Sequence, residues 1–270
     1  MSKIIGIVSG KGGVGKTTTV ANLGTIFSRE YKTKTVMVDA NLFTTNLGIH
    51  LGLLDPPTTL QDVLRAPNVL SIKKVVYTTV DGLQVVPCTI SLSQKVKYSK
   101  IGPVLKPLRE MFDLIILDSA PGLSHETEFV MKVSDQIILV TTPDLPSVTD
   151  TLKAARVTEE FKIPIIGVVV NRVQGHKHEL SIQEIERTIG HKVIAVIPED
   201  EHVREAISAR KPAALHSPNC SATKAFRKLA QYLQDFESTM QPPEPRFEEV
   251  TAFSRQGFLS RLLQLLRFYR

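Results

Sequence analysis

Residues 3–17 read KIIGIVSGKGGVGKT, an apolar run that ends directly in a glycine-rich loop. No other stretch limits the fold so tightly. Residues 10–17, GKGGVGKT, match the phosphate-loop pattern G-x-x-x-x-G-K-[ST]. The pattern works only where a strand stops and a helix starts, because the loop must turn backbone N–H groups toward phosphate oxygens. Gly12, Gly13 and Gly15 free the turn from side-chain clashes, and a helix opening near Lys16 adds the positive end of its dipole. Lys16 is placed to reach the β- and γ-phosphates, and the Thr17 hydroxyl to bind Mg²⁺. The candidate phosphate-binding set is therefore Gly12, Gly13, Val14, Gly15, Lys16, Thr17 and Thr18.

The rest of the chain agrees with this start. Almost purely apolar runs at residues 3–9, 35–39, 83–87, 113–118, 136–141, 165–171 and 193–198 read as strands buried on both faces. Segments of helical period lie between most of them, at 17–30, 147–161 and 180–189, with a last helix of the domain at 221–237. Such alternation predicts an α/β three-layer sandwich: a mostly parallel, twisted sheet with helices on both faces. In these sheets ligands sit beyond the carboxyl ends of the strands, so function is sought in the residues that follow each strand.

Composition narrows the function classes. At 270 residues, 42% hydrophobic and 22% charged, the chain has the makeup of a globular protein with an ample core. Cys88 and Cys220 lie far apart and outside any CxxC spacing, so a disulfide framework, a zinc site and a cysteine-held cluster have no support. Reduced thiols in a cytoplasmic protein are expected. The N-terminal apolar run is too short for a secretory signal, and no stretch approaches the ~18–20 apolar residues of a spanning helix. A net charge of +6 permits an anionic partner without choosing between nucleic acid and membrane.

The phosphate loop holds a second lysine, Lys11, at a position where the chain turns away from its own nucleotide. Pointing inward, it would crowd a second ammonium onto one phosphate tail. A more economical use is on a nucleotide held by a second subunit. KGGVGKTT resembles the deviant phosphate-loop motif of the MinD/ParA/nitrogenase-iron-protein group of ATPases. The resemblance covers about residues 1–235 and implies ATP and Mg²⁺ as cofactors, with Lys11 crossing a face-to-face homodimer to touch the partner's ATP. TTNLGIHLGL and IPEDEHVREAISARKP resemble archaeal MinD-like proteins.

Other loops follow the same logic. FDLIILDSAPG (112–122) ends a strand in Asp118, suited to hold Mg²⁺ through water, and residues 119–122 resemble the family's γ-phosphate-sensing segment. In the family the strand at 35–39 commonly ends D-x-D, with the second acid close to the attacking water. Here it reads Asp39-Ala40-Asn41. The resemblance puts Asp39 beside the metal with Thr17 and Asp118. Asn41 is left to orient water, as an amide does in some GTPases, without a carboxylate's capacity to take a proton. Slow, partner-triggered or nearly absent hydrolysis is therefore expected. Asp150 matches a family aspartate that supports contacts of the early lysine across the dimer. Asn171, with Arg172 after it, and Pro198 and Asp200 match positions around the adenine ring. No guanine-specific NKxD pattern is present, which favours ATP. His176 and His178 have no third ligand nearby in the sequence and read as surface histidines.

Beyond the ATPase domain at residues 1–238, residues 239–252 are rich in proline and glutamate and read as a linker. Residues 253–270, FSRQGFLSRLLQLLRFYR, place Phe258, Leu259, Leu262, Leu263 and Leu266 on one side of a helix, with Arg261 and Arg267 opposite. That is the pattern of an interfacial helix on an anionic membrane, and GFLSRLL resembles the membrane-targeting tail of bacterial MinD. The expected location is the cytoplasm and the inner face of the cell membrane. The first reading is an ATPase that dimerises on ATP, attaches reversibly to membrane and positions a partner protein. Two alternatives stand beside it: a ParA-like DNA- or cargo-partitioning ATPase, disfavoured by the apolar tail, and an ATP-dependent scaffold with little hydrolysis, motivated by Asn41.

Overall fold

The computed structural model describes residues 2–42, 46–66, 71–89 and 100–239. The linker beyond residue 239 and the tail helix at 253–270 lie outside the described residues. The strands are β1 (Lys3–Val8), β2 (Thr35–Asp39), β3 (Tyr77–Thr78), β4 (Gln84–Val86), β5 (Leu114–Asp118), β6 (Gln136–Thr141), β7 (Ile165–Val173) and β8 (Val193–Pro198). They form one sheet in the order β3-β4-β2-β5-β1-β6-β7-β8. Only β3, which the sequence reading missed, runs antiparallel to its neighbour. At two residues it is too short to show a period.

Helices cover both faces: α1 (Lys16–Arg29), α2 (Leu47–His50), α3 (Leu60–Arg65), α4 (Ile101–Leu105), α5 (His125–Val133), α6 (Leu145–Glu160), α7 (Ile182–Ile189), α8 (Glu201–Ser208), α9 (Ala213–His216) and α10 (Ser221–Thr239). Successive strand residues turn to opposite faces, which is why the strands read as unbroken apolar runs. Ile4, Val36, Ile115 and Ile137 join the core under α3 to α7. Ile5, Met37, Ile116 and Ile138 join the core under α1 and α10, where Phe226 is fully buried. This is the three-layer fold of the P-loop NTPases, held within the compact unit Met1–Ser238.

One expectation is corrected. β8 is not buried on both faces: it pairs only with β7 at the sheet edge, and Val196 is 41% exposed. Among the described residues, no helix is long and apolar enough to cross a membrane.

Candidate nucleotide site

Central strand β1 delivers the loop 9–15 to the carboxyl edge of the sheet, flanked by the ends of β5 and β6. Gly13 and Gly15 take left-handed φ angles of 79° and 96°, which glycine adopts without steric cost. Gly15 caps α1 with no side-chain hydrogen bond, and the first turn of α1 holds no acid. The helix therefore offers its unpaired N–H groups and positive end without an internal counter-charge, which is what an anionic phosphate needs.

Lys16 is only 7% exposed and donates to Ser9 Oγ at 2.7 Å; Ser9 Oγ in turn donates to the Lys11 carbonyl at 2.7 Å. Burial lowers the Lys16 ammonium's pKa, and the nearby Asp118 carboxylate opposes that shift. Ser9, absent from the sequence-derived set, thus ties both lysines of the loop together. Its place at the strand end is the signal that marks it.

Asp39 and Asp118 end adjacent parallel strands in register. Thr17 Oγ1 donates to Asp118 Oδ2 at 2.6 Å, while the buried Asp118 Oδ1 has no hydrogen-bond partner among the described residues. Burial, and then the charge of Asp39, push the Asp118 carboxyl up to about 7, against the Thr17 hydrogen bond and the Lys16 charge. A buried carboxylate oxygen without a partner, beside a hydroxyl and a second acid, is a fitting donor set for a hard divalent cation. No group of three or more His, Cys, Asp or Glu side chains among the described residues is arranged to hold a metal alone.

The Asp39 carboxylate is further committed: it accepts from the backbone N–H of Asn41 at 3.1 Å and of Leu47 at 3.2 Å. It anchors the segment after β2, and Asn41 is buried beside it. Against the loop's other side, the chain at 119–122 comes so close that a Cβ on Gly12 would meet Pro121 at 3.3 Å.

Lys11 is exposed and lines a cleft of about 400 Å³ together with Gly12, Gly13, Thr142, Asp144 and Arg172. The Asp150 carboxylate accepts from Lys153 Nζ at 2.9 Å. The acid near Lys11 is Asp144, which caps α6 by accepting from the Ser147 N–H. Burial disfavours its charged form, but hydrogen bonds from Thr142 and Ser147, with the Lys11 charge, hold its carboxyl below the ordinary value. A cap residue followed by Pro146, directly after a strand, is a signal by which sequence could have found it.

Asp150 serves through its backbone. A Cβ on Gly10 would lie 2.0 Å from the Asp150 carbonyl oxygen. Gly10→Ala is therefore expected to push α6 off the loop and destabilise the fold by about 1–3 kcal/mol, read as a fall in Tm.

The residues assigned to the adenine ring are placed as follows. Asn171 is buried at the end of β7, with its Nδ2 donating to the Val14 carbonyl at 2.8 Å. Arg172 reaches the Gly13 carbonyl at 3.4 Å and Glu199 at 2.8 Å. Pro198 ends β8. The Asp200 carboxylate caps α8 and also accepts from Ser221, Ala222 N–H and the His202 ring. Its acceptor capacity is used in tying α8 to α10. Despite a burial penalty, these hydrogen bonds hold its carboxyl well below the usual range. A depressed carboxyl contributes stability above its unfolded value, about 4, that is lost as pH falls through the folded value. Asp200→Ala is expected to cost about 1–2 kcal/mol at pH 7, with the gap to wild type closing in acid. Thermal melts from pH 7 down to 2 check this. His176 and His178 stack at 5.2 Å on the loop beyond β7, and His176 shares a hydrogen bond with Gln174.

Residues 5–213 match the family model for the CobQ/CobB/MinD/ParA nucleotide binding domain. An uncharacterized ATP-binding protein of Methanocaldococcus jannaschii is 35% identical over 235 residues, covering 86% of this chain and 88% of its own. The cell division ATPase MinD of Pyrococcus furiosus superposes with a TM-score of 0.82 at 34% identity, over 87% of this chain and 100% of its own. The septum site-determining protein MinD of Pyrococcus horikoshii, complexed with Mg-ADP, superposes with a TM-score of 0.82 at 31% identity, over 88% of this chain and 98% of its own.

Proposed function

We propose, for a chain that belongs to the CobQ/CobB/MinD/ParA nucleotide-binding family, a MinD-like role: an ATPase that dimerises on ATP, attaches reversibly to membrane and positions a partner protein. ATP and Mg²⁺ are its cofactors, in keeping with the Mg-ADP held by the Pyrococcus horikoshii relative. Loop amides, the α1 N-terminus and Lys16 hold the phosphates. Thr17 and Asp118 would hold Mg²⁺, with Asp39 beside them fixing the segment that carries Asn41. When bound, Mg²⁺ neutralises charge on the phosphate oxygens.

The observation that carries the dimer is Lys11. It lies in the same loop as Lys16 yet is exposed; its carbonyl accepts from Ser9 Oγ, while its ammonium makes no hydrogen bond or ion pair among the described residues and its charge acts on Asp144. A cation left outside a complete phosphate loop suits a phosphate brought by another copy. The tail, residues 253–270 beyond the linker at 239–252, would then act in pairs. Each arginine near an anionic surface contributes about 1 kcal/mol, so one helix binds weakly. Two on one dimer bind far better through effective concentration, through Phe258, Leu259, Leu262, Leu263 and Leu266 with Arg261 and Arg267. The site of action is the inner face of the cell membrane.

Asn41 favours a second reading, a membrane scaffold that holds ATP and turns it over slowly, since a buried amide takes no proton from water. Light scattering of the full chain with MgATP and with MgADP tests the proposal. A dimer with ATP and a monomer with ADP is the expected result; the same mass with both nucleotides would reject it. Phosphate release with anionic liposomes present separates enzyme from scaffold.

A further inference from the structure

Backbone carbonyls of the phosphate loop are held by side chains from two directions. The Lys11 carbonyl accepts from Ser9 Oγ. The next two held carbonyls are reached from the end of β7: Gly13 by Arg172 Nη1 at 3.4 Å and Val14 by the buried Asn171 Nδ2 at 2.8 Å. In a trans peptide the C=O of one residue and the N–H of the next point in opposite directions. Fixing the Gly13 and Val14 carbonyls on the β7 side therefore fixes the Val14 and Gly15 N–H groups on the other.

The fit at this contact is close and directional. A Cβ on Gly15 would lie 2.0 Å from Asn171 Nδ2, so the glycine there admits the amide. A Cβ built on Gly13 would have nothing within 4 Å, so the space beside it is open. Arg172 itself takes a left-handed φ of 62°, a strained backbone for a residue with a side chain. Its guanidinium is set by Glu199, which also binds Arg204 at 2.6 Å and whose N–H donates to the Val173 carbonyl. The strain is thus held in place by an ion-pair chain running to β8 and α8.

We propose that Asn171 and Arg172 are positioning residues of the phosphate loop: they hold two successive loop carbonyls away from the nucleotide and so aim the Val14 and Gly15 amides at its phosphates. The inference rests on the nucleotide-binding reading of the site and goes beyond any contact the pair makes with the base. A base contact and a brace differ in one measurable respect. The brace acts on phosphate whether or not a base is attached.

Calorimetric titration of the full chain with MgATP and with magnesium tripolyphosphate tests it, in wild type, Asn171→Ala and Arg172→Gly. Each variant is expected to weaken both ligands by the same factor, about five- to tenfold, the usual effect of one lost hydrogen bond. Arg172→Gly is expected to keep or raise Tm, because glycine accepts the left-handed backbone without strain. A variant that merely loosens the fold would lower Tm along with affinity. Loss of MgATP affinity with tripolyphosphate unchanged, no change for either ligand, or a wild type that binds MgATP but not tripolyphosphate would each overturn the brace. A wild type that binds neither ligand would overturn the nucleotide-binding reading itself.

Discussion

Lys11→Ala is expected to yield a folded protein that binds MgATP about as well as wild type yet remains a monomer, with phosphate release down by about 10²-fold or more, the usual effect of removing one preorganised charge or donor from a transition state. Lys11 is exposed, so stability should hold within about 0.5 kcal/mol, as for most surface changes. The loop's own phosphate contacts come from the amides, the α1 N-terminus and Lys16, none of which the substitution touches. What disappears is the exposed cation of the same loop. Scattering mass and phosphate release, measured on the same sample, read the two effects together. Unchanged ATP-dependent dimerisation in this variant would show that Lys11 does not join the subunits.

Lys16→Ala should fail earlier in the cycle. This ammonium is buried, hydrogen-bonded to Ser9 and close enough to Asp118 to favour that carboxylate's charged form. Removing it takes away the cation that meets the phosphate tail inside the loop and leaves Asp39 and Asp118 facing each other without it. ATP affinity is expected to fall by at least about tenfold, as for a lost charged hydrogen bond of 1.5–3 kcal/mol, and phosphate release to background. Dimerisation is lost with the nucleotide. The two lysines are thereby told apart: the Lys11 variant binds ATP without pairing, and the Lys16 variant does neither. Calorimetry with MgATP on both variants gives the comparison, and equal binding by the two would contradict the division of labour.

The strands were legible because burial on both faces leaves runs such as LIIL and IILV, within β5 and β6, without a polar residue to confuse the period. The edge position of β8 was not, since VIAVIP reads like a central strand and only pairing shows that one side lies open. Short helices such as α2, α3 and α9, at four to six residues, carry too little sequence for a 3.6-residue period. In the site, the motif residues were found because a phosphate loop fixes both residue type and spacing. Asp144, Ser9 and the Asn171–Arg172 contacts were not, because they depend on how β6 and β7 lie beside β1. Asp200 was assigned to the adenine ring by resemblance alone, and its carboxylate's role as the cap of α8 was not read from the sequence.

Co-sedimentation with anionic liposomes, in ATP and in ADP, tests whether ATP-driven pairing switches membrane attachment when run on the full chain and on a version ending at Gln241. The account predicts pelleting of the full chain with ATP, little with ADP, and none for the shortened chain with either nucleotide. Pelleting that ignores the nucleotide would contradict the coupling of Lys11 to the tail. A full chain that stays in solution with ATP while binding DNA would replace the membrane role with a partitioning one.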